Sequence, residues 1–284
     1  MLRLGRYRLA SLLDCTFALD GGAMFGIVPK PLWEKEIPAD ARNRVRLAAR
    51  CLLAVDEGSR RRIVVDAGMG LRWDPKRVEM YAIERPGGGL CAELRRNGVE
   101  PEEVTDVVLT HLHFDHAGGA CVPGEGGALQ LAFPNATWHL QRGAWQWAHA
   151  PTERDRGSFR GEDFDLLAHS GRLHLLEGDA ELFPDVELIL SEGHTVGQQL
   201  PRFHGGDTHL TFCGDVIPTH AHLRTSWVMG YDLYPLTTVE EKKMILAEAL
   251  EDDGILFFEH DPVHAACRLT EEGGHPAFRE PVAM

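Results

Sequence analysis

The segment Thr110-His111-Leu112-His113-Phe114-Asp115-His116-Ala117-Gly118-Gly119 is the part of this 284-residue sequence that decides the fold. It follows the run Val104–Leu109, which has the length and the β-branched content of a strand. Three histidines and one aspartate of the segment fall within six residues. A tight loop after a strand can direct the first two histidines at one cation and the Asp-His pair at a second cation. Imidazole and carboxylate ligands suit Zn²⁺, and also Fe, Co or Mn, so the segment predicts a metal site.

Other apolar runs also end in a residue that can bind a metal. These residues are Asp66, His194, Asp215 and His260, and the runs that precede them are Ile63–Val65, Val186–Leu190, Leu210–Cys213 and Ile255–Phe258. Ligands at the ends of neighbouring strands converge on one edge of a sheet stack, where rigid elements hold the loop residues in place. The sequence therefore predicts one metal centre that is assembled from several strand ends.

The remaining histidines and the cysteines follow no such pattern. Isolated histidines are more often packed or solvated side chains than ligands, and this interpretation applies to His139, His149, His169, His174, His209 and His275. The six cysteines are scattered without a CxxC pair. In a chain of this length that pattern predicts reduced thiols and a cytoplasmic location. Cys213, two residues before Asp215, is expected to be a buried strand thiol rather than a ligand.

The charge balance argues against several classes of partner. The chain has 29 Lys and Arg residues against 43 Asp and Glu residues, for a net charge of −14. A field of that sign repels phosphate backbones and anionic lipid, which disfavours nucleic acid as a ligand and RNA cleavage as an activity. The densest apolar run, Ile255–Phe258, is far shorter than the ~18–20 residues that span a bilayer. We therefore expect no nucleic-acid partner and no membrane partner.

Short strand-like runs dominate the chain, and helical segments lie between them. Gly89–Asn97 predicts a helix that Gly98 closes at its C terminus. A second helix is predicted to begin near Thr238, where Thr238 and Glu241 have the spacing of a capping box. Such a mixture favours an α+β protein in which helices cover the outside of sheet layers. No segment has the composition of a linker, which favours one domain over residues 1–284.

The motifs resemble the signature of the metallo-β-lactamase superfamily. The matching segments are His111-x-His113-x-Asp115-His116, Val65-Asp66-Ala67-Gly68, Gly193-His194-Thr195-x-Gly197, Cys213-Gly214-Asp215 and Glu259-His260-Asp261. Three further segments are similar to a group of bacterial quorum-quenching lactonases, to which the methyl parathion hydrolases are related: Asp20–Gly26, Pro29–Trp33 and Met229–Pro235. The resemblance extends over nearly the whole chain.

This resemblance implies a four-layer αβ/βα sandwich with a two-metal site at one edge. In such a site one ion would bind to His111, His113 and His194, the other to Asp115, His116 and His260, and Asp215 would bridge them. Asp66 would accept a hydrogen bond from a ligand histidine and thereby fix its tautomer. The implied cofactors are two divalent transition-metal ions per chain, zinc first, with Mn, Fe or Co as alternatives.

The resemblance also implies a hydrolase. The first expectation is a lactonase that opens N-acyl-homoserine lactones by attack of a metal-bound hydroxide, with Asp115 and Asp215 as catalytic residues. The uncoordinated oxygen of Asp115 would carry a proton to the leaving alcohol. The alternative is a phosphotriesterase or arylesterase of the methyl parathion hydrolase type. The complete ligand set disfavours a mononuclear-iron sulfur dioxygenase and a non-catalytic binding module. The expected partner is a small-molecule ester or lactone, and the expected assembly is a homodimer.

One position departs from the acyl-homoserine lactonases, which have a tyrosine three residues after the bridging aspartate. This chain has Pro218 there. The candidate replacements are His220, His222, Tyr231 and Tyr234. Further candidates for a substrate pocket are apolar side chains that either line a site for an acyl chain or pack in the core, namely Met24, Phe25, Trp33, Phe114, Trp227 and Met229.

Overall fold

Two seven-stranded sheets form the centre of the molecule. The computed structural model describes the backbone of residues 1–284 and every side chain except that of Glu125. The first sheet contains, in spatial order, β1 (Leu2–Leu4), β2 (Tyr7–Asp20), β3 (Arg44–Asp56), β4 (Arg62–Val65), β5 (Asp106–Val108), β8 (Thr137–Gln141) and β9 (Leu173–Leu176). The second contains β10 (Ala180–Phe183), β11 (Val186–Ser191), β12 (Gln198–Gly205), β13 (Thr208–Phe212), β14 (Ile255–Phe257), β15 (Ala266–Glu272) and β16 (His275–Pro281). A separate two-stranded ribbon pairs β6 (Cys121–Pro123) with β7 (Leu129–Leu131).

Helices connect and cover these strands. The α-helices are α1 (Gly21–Phe25), α2 (Lys30–Trp33), α3 (Pro75–Met80), α4 (Leu90–Arg96), α5 (Phe114–Ala117), α6 (Arg142–His149), α7 (Gly161–Phe164) and α8 (Pro235–Glu251). Short 3-10 turns lie at Pro101–Glu103, Glu125–Gly127, Arg156–Ser158, Asp165–His169 and His220–Leu223. Gly98 follows α4 with a φ of +74°, in the left-handed region that closes a helix, as predicted. Among the segments that the structure describes, no helix has both the length and the apolar character needed to cross a membrane.

Each sheet contains a parallel part, and this part determines where the loops meet. Strands β4, β5, β8 and β9 run parallel to one another, while β1 to β4 pair in antiparallel fashion. In the second sheet β13 and β14 are parallel, and the other neighbours are antiparallel. The carboxyl ends of parallel neighbours lie at the same edge of a sheet. The loops after β4 and β5, and those after β13 and β14, therefore leave their sheets side by side.

Alternation along the strands produces four layers. In β3, Leu52 and Ala54 pack against the second sheet, whereas Cys51 and Leu53 point to the outer helices. This is the two-residue period of a strand that is buried on both faces. The outer layers are supplied on one side by Leu90, Leu94, Ala144 and Ala148 of α4 and α6, and on the other by Ile245, Leu246 and Ala249 of α8. The predicted α+β sandwich with helices outside two sheets is confirmed.

The helix α8 begins earlier than the sequence pattern predicts. It starts at Pro235, whose fixed φ and missing N–H suit the first turn of a helix. The predicted capping box at Thr238 is wrong. Instead, the Glu241 carboxylate accepts hydrogen bonds from Ser191 Oγ at 2.8 Å and from the Glu192 backbone N–H at 2.7 Å. The glutamate thus ties the helix to the end of β11, which carries one side of the candidate site.

Candidate metal centre

Seven polar side chains from both sheets meet at one edge of the sandwich. The first sheet supplies His111 and His113 in the loop after β5, and Asp115 and His116 on α5; the second supplies His194 after β11, Asp215 after β13 and His260 after β14. All seven are buried. Sequence reasoning named each of them, and the structure brings them together.

Close backbone contact holds the loop after β4 against α5 and the residues that follow it. Gly119 lies so near the Ala67 carbonyl that a Cβ at this position would be 2.1 Å from the oxygen. The Ala67 N–H in turn donates to the His116 carbonyl at 2.7 Å. Because only glycine permits this approach, the loop after β4 packs directly on α5. This contact brings Asp66 beside His116.

The seven residues form two compact groups. In the first group, His111, His113, His194 and Asp215 each offer one donor atom, and these atoms lie within 4.8 Å of one another. His194 Nε2 is 3.2 Å from His113 Nδ1 and 3.1 Å from Asp215 Oδ2. Four buried donors at this spacing match the ligand set of a transition-metal ion.

The second group consists of Asp115, His116 and His260, whose donor atoms also lie within 4.8 Å of one another. His260 Nε2 is 3.2 Å from His116 Nε2 and 3.0 Å from Asp215 Oδ1. Asp215 therefore places one carboxylate oxygen toward each group. This is the geometry that a bridging ligand between two ions requires.

Hydrogen bonds on the far side of three imidazoles turn their lone pairs inward. His194 Nδ1 donates to Asp232 Oδ1 at 2.9 Å, and His260 Nδ1 donates to the Ala48 carbonyl at 2.8 Å. His116 Nδ1 lies 2.9 Å from Asp66 Oδ2. An acceptor at Nδ1 keeps the proton there and leaves Nε2 as a ligand atom. All three Nε2 atoms then face Asp215, an arrangement that needs positive charge, from a metal ion or from a proton, between the rings and the carboxylate.

Two atoms at the centre have no hydrogen bond within the protein. Among the described residues, His111 Nε2 is buried without a hydrogen bond, and the buried Asp215 Oδ1 has beside it only His260 Nε2 and His116 Nε2, at 3.0 Å and 3.4 Å, without a hydrogen bond to either. An unpaired buried polar atom costs about 1–3 kcal/mol, so two of them in one cluster call for a ligand. The donor set, its spacing and these unpaired atoms all fit a pair of metal ions.

The groups of the centre also shift one another's pKa values. Burial and the neighbouring imidazoles lower the pKa of His111 and of His113 well below the ordinary value. At His194 burial acts in the same direction, but Asp215 and Asp232 outweigh it and raise the pKa to about 9. Against the effect of burial, His194 and its neighbours hold the pKa of Asp215 well below its usual range. The ionised carboxylate makes the centre a site that attracts positive charge.

Asp66 is fixed by three hydrogen bonds. Besides its contact with His116, its carboxylate accepts from the Thr110 backbone N–H at 2.6 Å and from Thr110 Oγ1 at 2.7 Å. Glu259, which sequence reasoning missed, lies on the same side of His116, with Oε2 3.0 Å from Nδ1. Burial and the charge of Asp66 raise the pKa of Glu259. Its position next to His260 in the sequence was the available signal.

A cavity of about 280 Å³ opens directly above the two groups. Its floor is formed by His113, Asp115, His194, Asp215 and His260. Four of the predicted pocket residues line its walls, namely Met24, Phe114, Met229 and Tyr231. The other wall residues are Leu19, Tyr81, Arg154, Gly157 and Ser158, which no sequence motif marked.

Several candidate pocket residues lie elsewhere, in the packed core that the sequence analysis gave as the alternative for the apolar side chains. Phe25 stacks between Trp33 and His222, with ring centroids 5.0 Å and 4.9 Å away, and Trp227 meets its edge at 5.8 Å. This aromatic stack is buried behind the cavity wall. His222 is further held by bonds to the Met24 carbonyl and to Thr219 Oγ1, which satisfy both ring nitrogens.

The two remaining candidates, His220 and Tyr234, are also not among the residues that line the cavity. His220 is paired with the buried carboxylate of Asp261 through both its ring and its backbone N–H. Tyr234 lies at the start of α8 and is 48% exposed. Of the four suggested replacements for a tyrosine at Pro218, only Tyr231 is among the residues that line the cavity.

Comparison with known proteins identifies the family. The family model described as the metallo-beta-lactamase superfamily matches residues 47–260. The chain belongs to this superfamily. The seven clustered residues, from His111 to His260, all lie within the matched region, so the family resemblance and the geometry concern the same part of the chain.

The curated relatives of this chain include lactonases. The N-acyl homoserine lactonase AiiA of Bacillus thuringiensis subsp. kurstaki is 28% identical over 185 residues, which cover 63% of this chain and 65% of the relative. The N-acyl homoserine lactonase AttM of Azorhizobium caulinodans is 26% identical over 193 residues, covering 64% and 67%. The matched region thus spans about 65% of the length of the Bacillus lactonase.

Solved structures share the fold over nearly the full length. A probable metal-dependent hydrolase from Staphylococcus aureus has a TM-score of 0.87 and 28% identity, and the match covers 99% of this chain and all of that one. The dizinc quorum-quenching lactonase AidC has a TM-score of 0.81 at 20% identity, covering 100% and 97%. Both matches show that the chain has the fold of these proteins over nearly its whole length.

Proposed function

We propose that this protein is a lactonase that hydrolyses the ring ester of N-acyl-homoserine lactones with the help of two divalent metal ions. The observation that carries the proposal is the pair of ligand groups joined by Asp215 at the floor of an apolar cavity. The lactonase relatives support the substrate class.

In the proposed site His111, His113 and His194 would hold one ion, and Asp115, His116 and His260 would hold the other. Asp215 would be the residue shared by both. Two divalent ions bound there, zinc being the first candidate, would supply a nucleophilic hydroxide at neutral pH and would polarise the substrate carbonyl.

The hydrogen bonds at Nδ1 hold three of the imidazole rings in the orientation that metal binding needs. Asp232, Asp66 and the Ala48 carbonyl each fix one ring through its Nδ1. Such partners orient the ring and increase its basicity as a ligand. The protein thus fixes the geometry of the site before substrate arrives.

Asp115 is placed to move a proton. It lines the cavity, and its two oxygens are 3.8 Å from His116 Nε2 and 3.7 Å from His260 Nε2. One oxygen can serve as a ligand while the other takes up the proton of the attacking hydroxide and passes it to the leaving alkoxide, which is released as an alcohol. The alkoxide that ring opening releases is a poor leaving group, so this proton matters to the rate.

Tyr231 supplies a hydrogen-bond donor on the cavity wall. Burial, together with the charge of Asp115, raises the pKa of this phenol, so it keeps its proton at neutral pH. A protonated phenol stabilises the negative charge that develops on the substrate carbonyl oxygen. In this chain Tyr231 would take the role of the tyrosine that is replaced by Pro218.

The proposal is tested with a substrate panel on protein of measured metal content. The panel contains N-hexanoyl-homoserine lactone, an aryl ester, a dimethyl aryl phosphotriester and a β-lactam. We expect the lactone to have the highest kcat/KM, the activity to disappear on removal of metal by a chelator, and zinc to restore it. A preference for the phosphotriester would replace the proposal with the methyl parathion hydrolase alternative. Unchanged activity in fully metal-free protein would refute the metal-dependent mechanism.

A further inference from the structure

A segment without helix or strand forms one wall of the cavity. It comprises residues 224–234, between the last 3-10 turn and α8. It contributes Met229 and Tyr231 to the cavity lining. We call it the wall segment. Because it belongs to no helix or sheet, its shape depends on contacts with other parts of the chain.

Tyr231 is held only through its neighbours in the wall segment. Among the described residues, neither its backbone N–H nor its carbonyl bonds to another backbone group. Before it, the Gly230 N–H donates to the Ala23 carbonyl at 2.8 Å, and after it, the Leu233 N–H donates to the His194 carbonyl at 3.0 Å. The position of the phenol therefore depends on how the peptide groups beside Tyr231 are fixed.

Arg154 binds the wall segment on both sides of Tyr231. Its Nη2 donates to the Gly230 carbonyl at 2.7 Å and to the Asp232 carbonyl at 3.1 Å. These carbonyls belong to the residues directly before and directly after Tyr231. The planar guanidinium presents its donors in a rigid arrangement, so a single side chain fixes both neighbouring residues.

The turn that carries Arg154 is itself anchored to the rest of the protein. The next residue, Asp155, is buried, and its carboxylate accepts a hydrogen bond from Trp147 Nε1 of α6 at 2.6 Å. Further along the same connection, the ring of Phe159 packs against the ring of His113, with their centroids 4.8 Å apart. Arg154 therefore joins a fixed part of the chain to the wall segment.

A second cation holds an earlier part of the wall segment. Lys242 of α8 is buried, and its Nζ donates to the Arg224 carbonyl at 2.9 Å and to the Trp227 carbonyl at 2.6 Å. Both carbonyls lie four or more positions before Tyr231. The part of the wall segment that carries the phenol is therefore held by Arg154 and not by Lys242.

Arg154 also lines the cavity, so direct contact with the substrate is the competing role for its side chain. The observed bonds favour a positioning role, because two carbonyls of the wall segment occupy Nη2. The two roles differ in one measurable respect. A residue that acts through Tyr231 has no effect once the phenol is removed, whereas a residue that binds the substrate keeps its effect.

We propose that Arg154 is a positioning residue that holds Tyr231 at the cavity wall by binding the carbonyls of its two neighbours. This inference rests on the proposed lactonase function, in which the Tyr231 phenol donates to the substrate carbonyl oxygen. Such a donor acts only within hydrogen-bond distance of the atom on which charge develops, so a small displacement lowers the rate.

The test is a double-mutant cycle that combines Arg154→Ala with Tyr231→Phe, with N-hexanoyl-homoserine lactone as the substrate. The control is Arg156→Ala, because Arg156 is an exposed arginine two positions further on that is not among the residues that line the cavity. Arg154 is exposed as well, so its truncation opens no cavity in the core and the fold is retained. All proteins are assayed at measured metal content.

We expect Arg154→Ala to lower kcat by about tenfold and to change KM by less than about twofold, because the phenol stabilises charge that develops only in the transition state. In the Tyr231→Phe background the same substitution should lower kcat by less than about twofold, since no phenol remains to be placed. Each variant should keep the metal content of the wild type. Arg156→Ala should match the wild type in every measurement.

Hydrogen exchange of the backbone amides supplies a readout that does not depend on activity. Peptides that cover residues 228–233 should exchange faster in Arg154→Ala than in the wild type and in Arg156→Ala, because the wall segment has lost two hydrogen bonds. Unchanged exchange in Arg154→Ala would show that Arg154 does not hold the wall segment, and the inference would be wrong.

The kinetic outcomes separate this inference from the proposed function. If Arg154→Ala lowers kcat equally with and without the phenol, Arg154 acts on the substrate directly and the inference is wrong. If Arg154→Ala loses metal, its effect passes through the metal centre, and the inference is again wrong. In both cases the lactonase function stands. If the wild type opens no lactone, the proposed function fails, and the role of Arg154 in that reaction fails with it.

Discussion

Asp232 and Asp66 each hold the imidazole of one proposed ligand, and we predict that their loss weakens the two metal sites separately. Asp232 Oδ1 is 2.9 Å from His194 Nδ1, and Asp66 Oδ2 is 2.9 Å from His116 Nδ1. An asparagine at either position keeps the size of the side chain and removes its charge. A hydrogen bond to a charged group contributes about 1.5–3 kcal/mol, which corresponds to about 10- to 150-fold in affinity. Outer partners of metal ligands typically affect affinity by about 10- to 100-fold, in agreement with this range.

Asp232→Asn should therefore weaken the ion at His194, and Asp66→Asn the ion at His116, each by about 10- to 100-fold. Competition of zinc with a chromophoric chelator resolves the two binding steps, and elemental analysis gives the stoichiometry. The control is Asp56→Asn, because Asp56 is also buried and charge-paired, with Arg6 at 2.9 Å, but lies at the other end of β3 from Ala48. It should leave both steps unchanged. Equal weakening of both steps in each aspartate variant, or weakening in neither, would refute the reasoning.

Three further predictions concern the bridge, the cavity wall and a buried lysine. Asp215→Ala should lose both ions and the activity, because Asp215 contacts the ligands of both groups. The control His139→Ala, at a histidine that is bonded to Asp106, should keep two ions per chain by elemental analysis. Equal metal loss in the two variants would contradict the assignment of Asp215 as the bridging ligand. Tyr231→Phe should lower kcat on a lactone by about 100-fold at unchanged metal content, while Tyr234→Phe should stay within about twofold of the wild type; equal rates for the two variants would exclude the role of Tyr231. Burial lowers the pKa of Lys242 to about 7, so from about pH 7 to pH 10 the unfolded chain binds more protons than the folded chain, and stability rises with pH by up to ~1.4 kcal/mol per unit. Lys242→Met should remove this rise in denaturant unfolding, and a wild-type-minus-variant difference that does not change with pH would contradict it.

The sequence predicted the fold and brought out the clustered residues because both depend on local patterns. The His-x-His-x-Asp-His spacing after a strand limits the positions that the side chains can reach. The parallel pairs β4–β5 and β13–β14 then place Asp66 beside His116, and Asp215 beside His260. A strand end followed by a ligand residue is visible without any knowledge of long-range contacts.

The cavity wall could not be predicted in the same way. Phe25 is adjacent to Met24 in the sequence, yet Met24 faces the cavity and Phe25 stacks on Trp33 behind it. Which of two neighbours faces inward depends on how a five-residue helix packs, and its sequence carries no periodic signal of sufficient length. Arg154 and Tyr81 come from loops that only the tertiary fold brings to the cavity. The start of α8 was predicted wrongly because Glu241 does not cap the helix locally. Its carboxylate accepts hydrogen bonds from residues about fifty positions away in the sequence.

Both proposed metal sites take ligands from both sheets, and this links metal binding to the stability of the fold. The first group joins the loop after β5 to His194 and Asp215, and the second joins α5 to His260. Without a metal ion, the buried Asp215 carboxylate has to be balanced by a proton on a neighbouring imidazole such as His194. An ion at 100 times its dissociation constant contributes about 2.7 kcal/mol to stability, a substantial part of the 5–15 kcal/mol that typically separates folded from unfolded protein. The ions would therefore join the two sheets at the edge that carries the proposed site, so that metal binding and folding would stabilise each other.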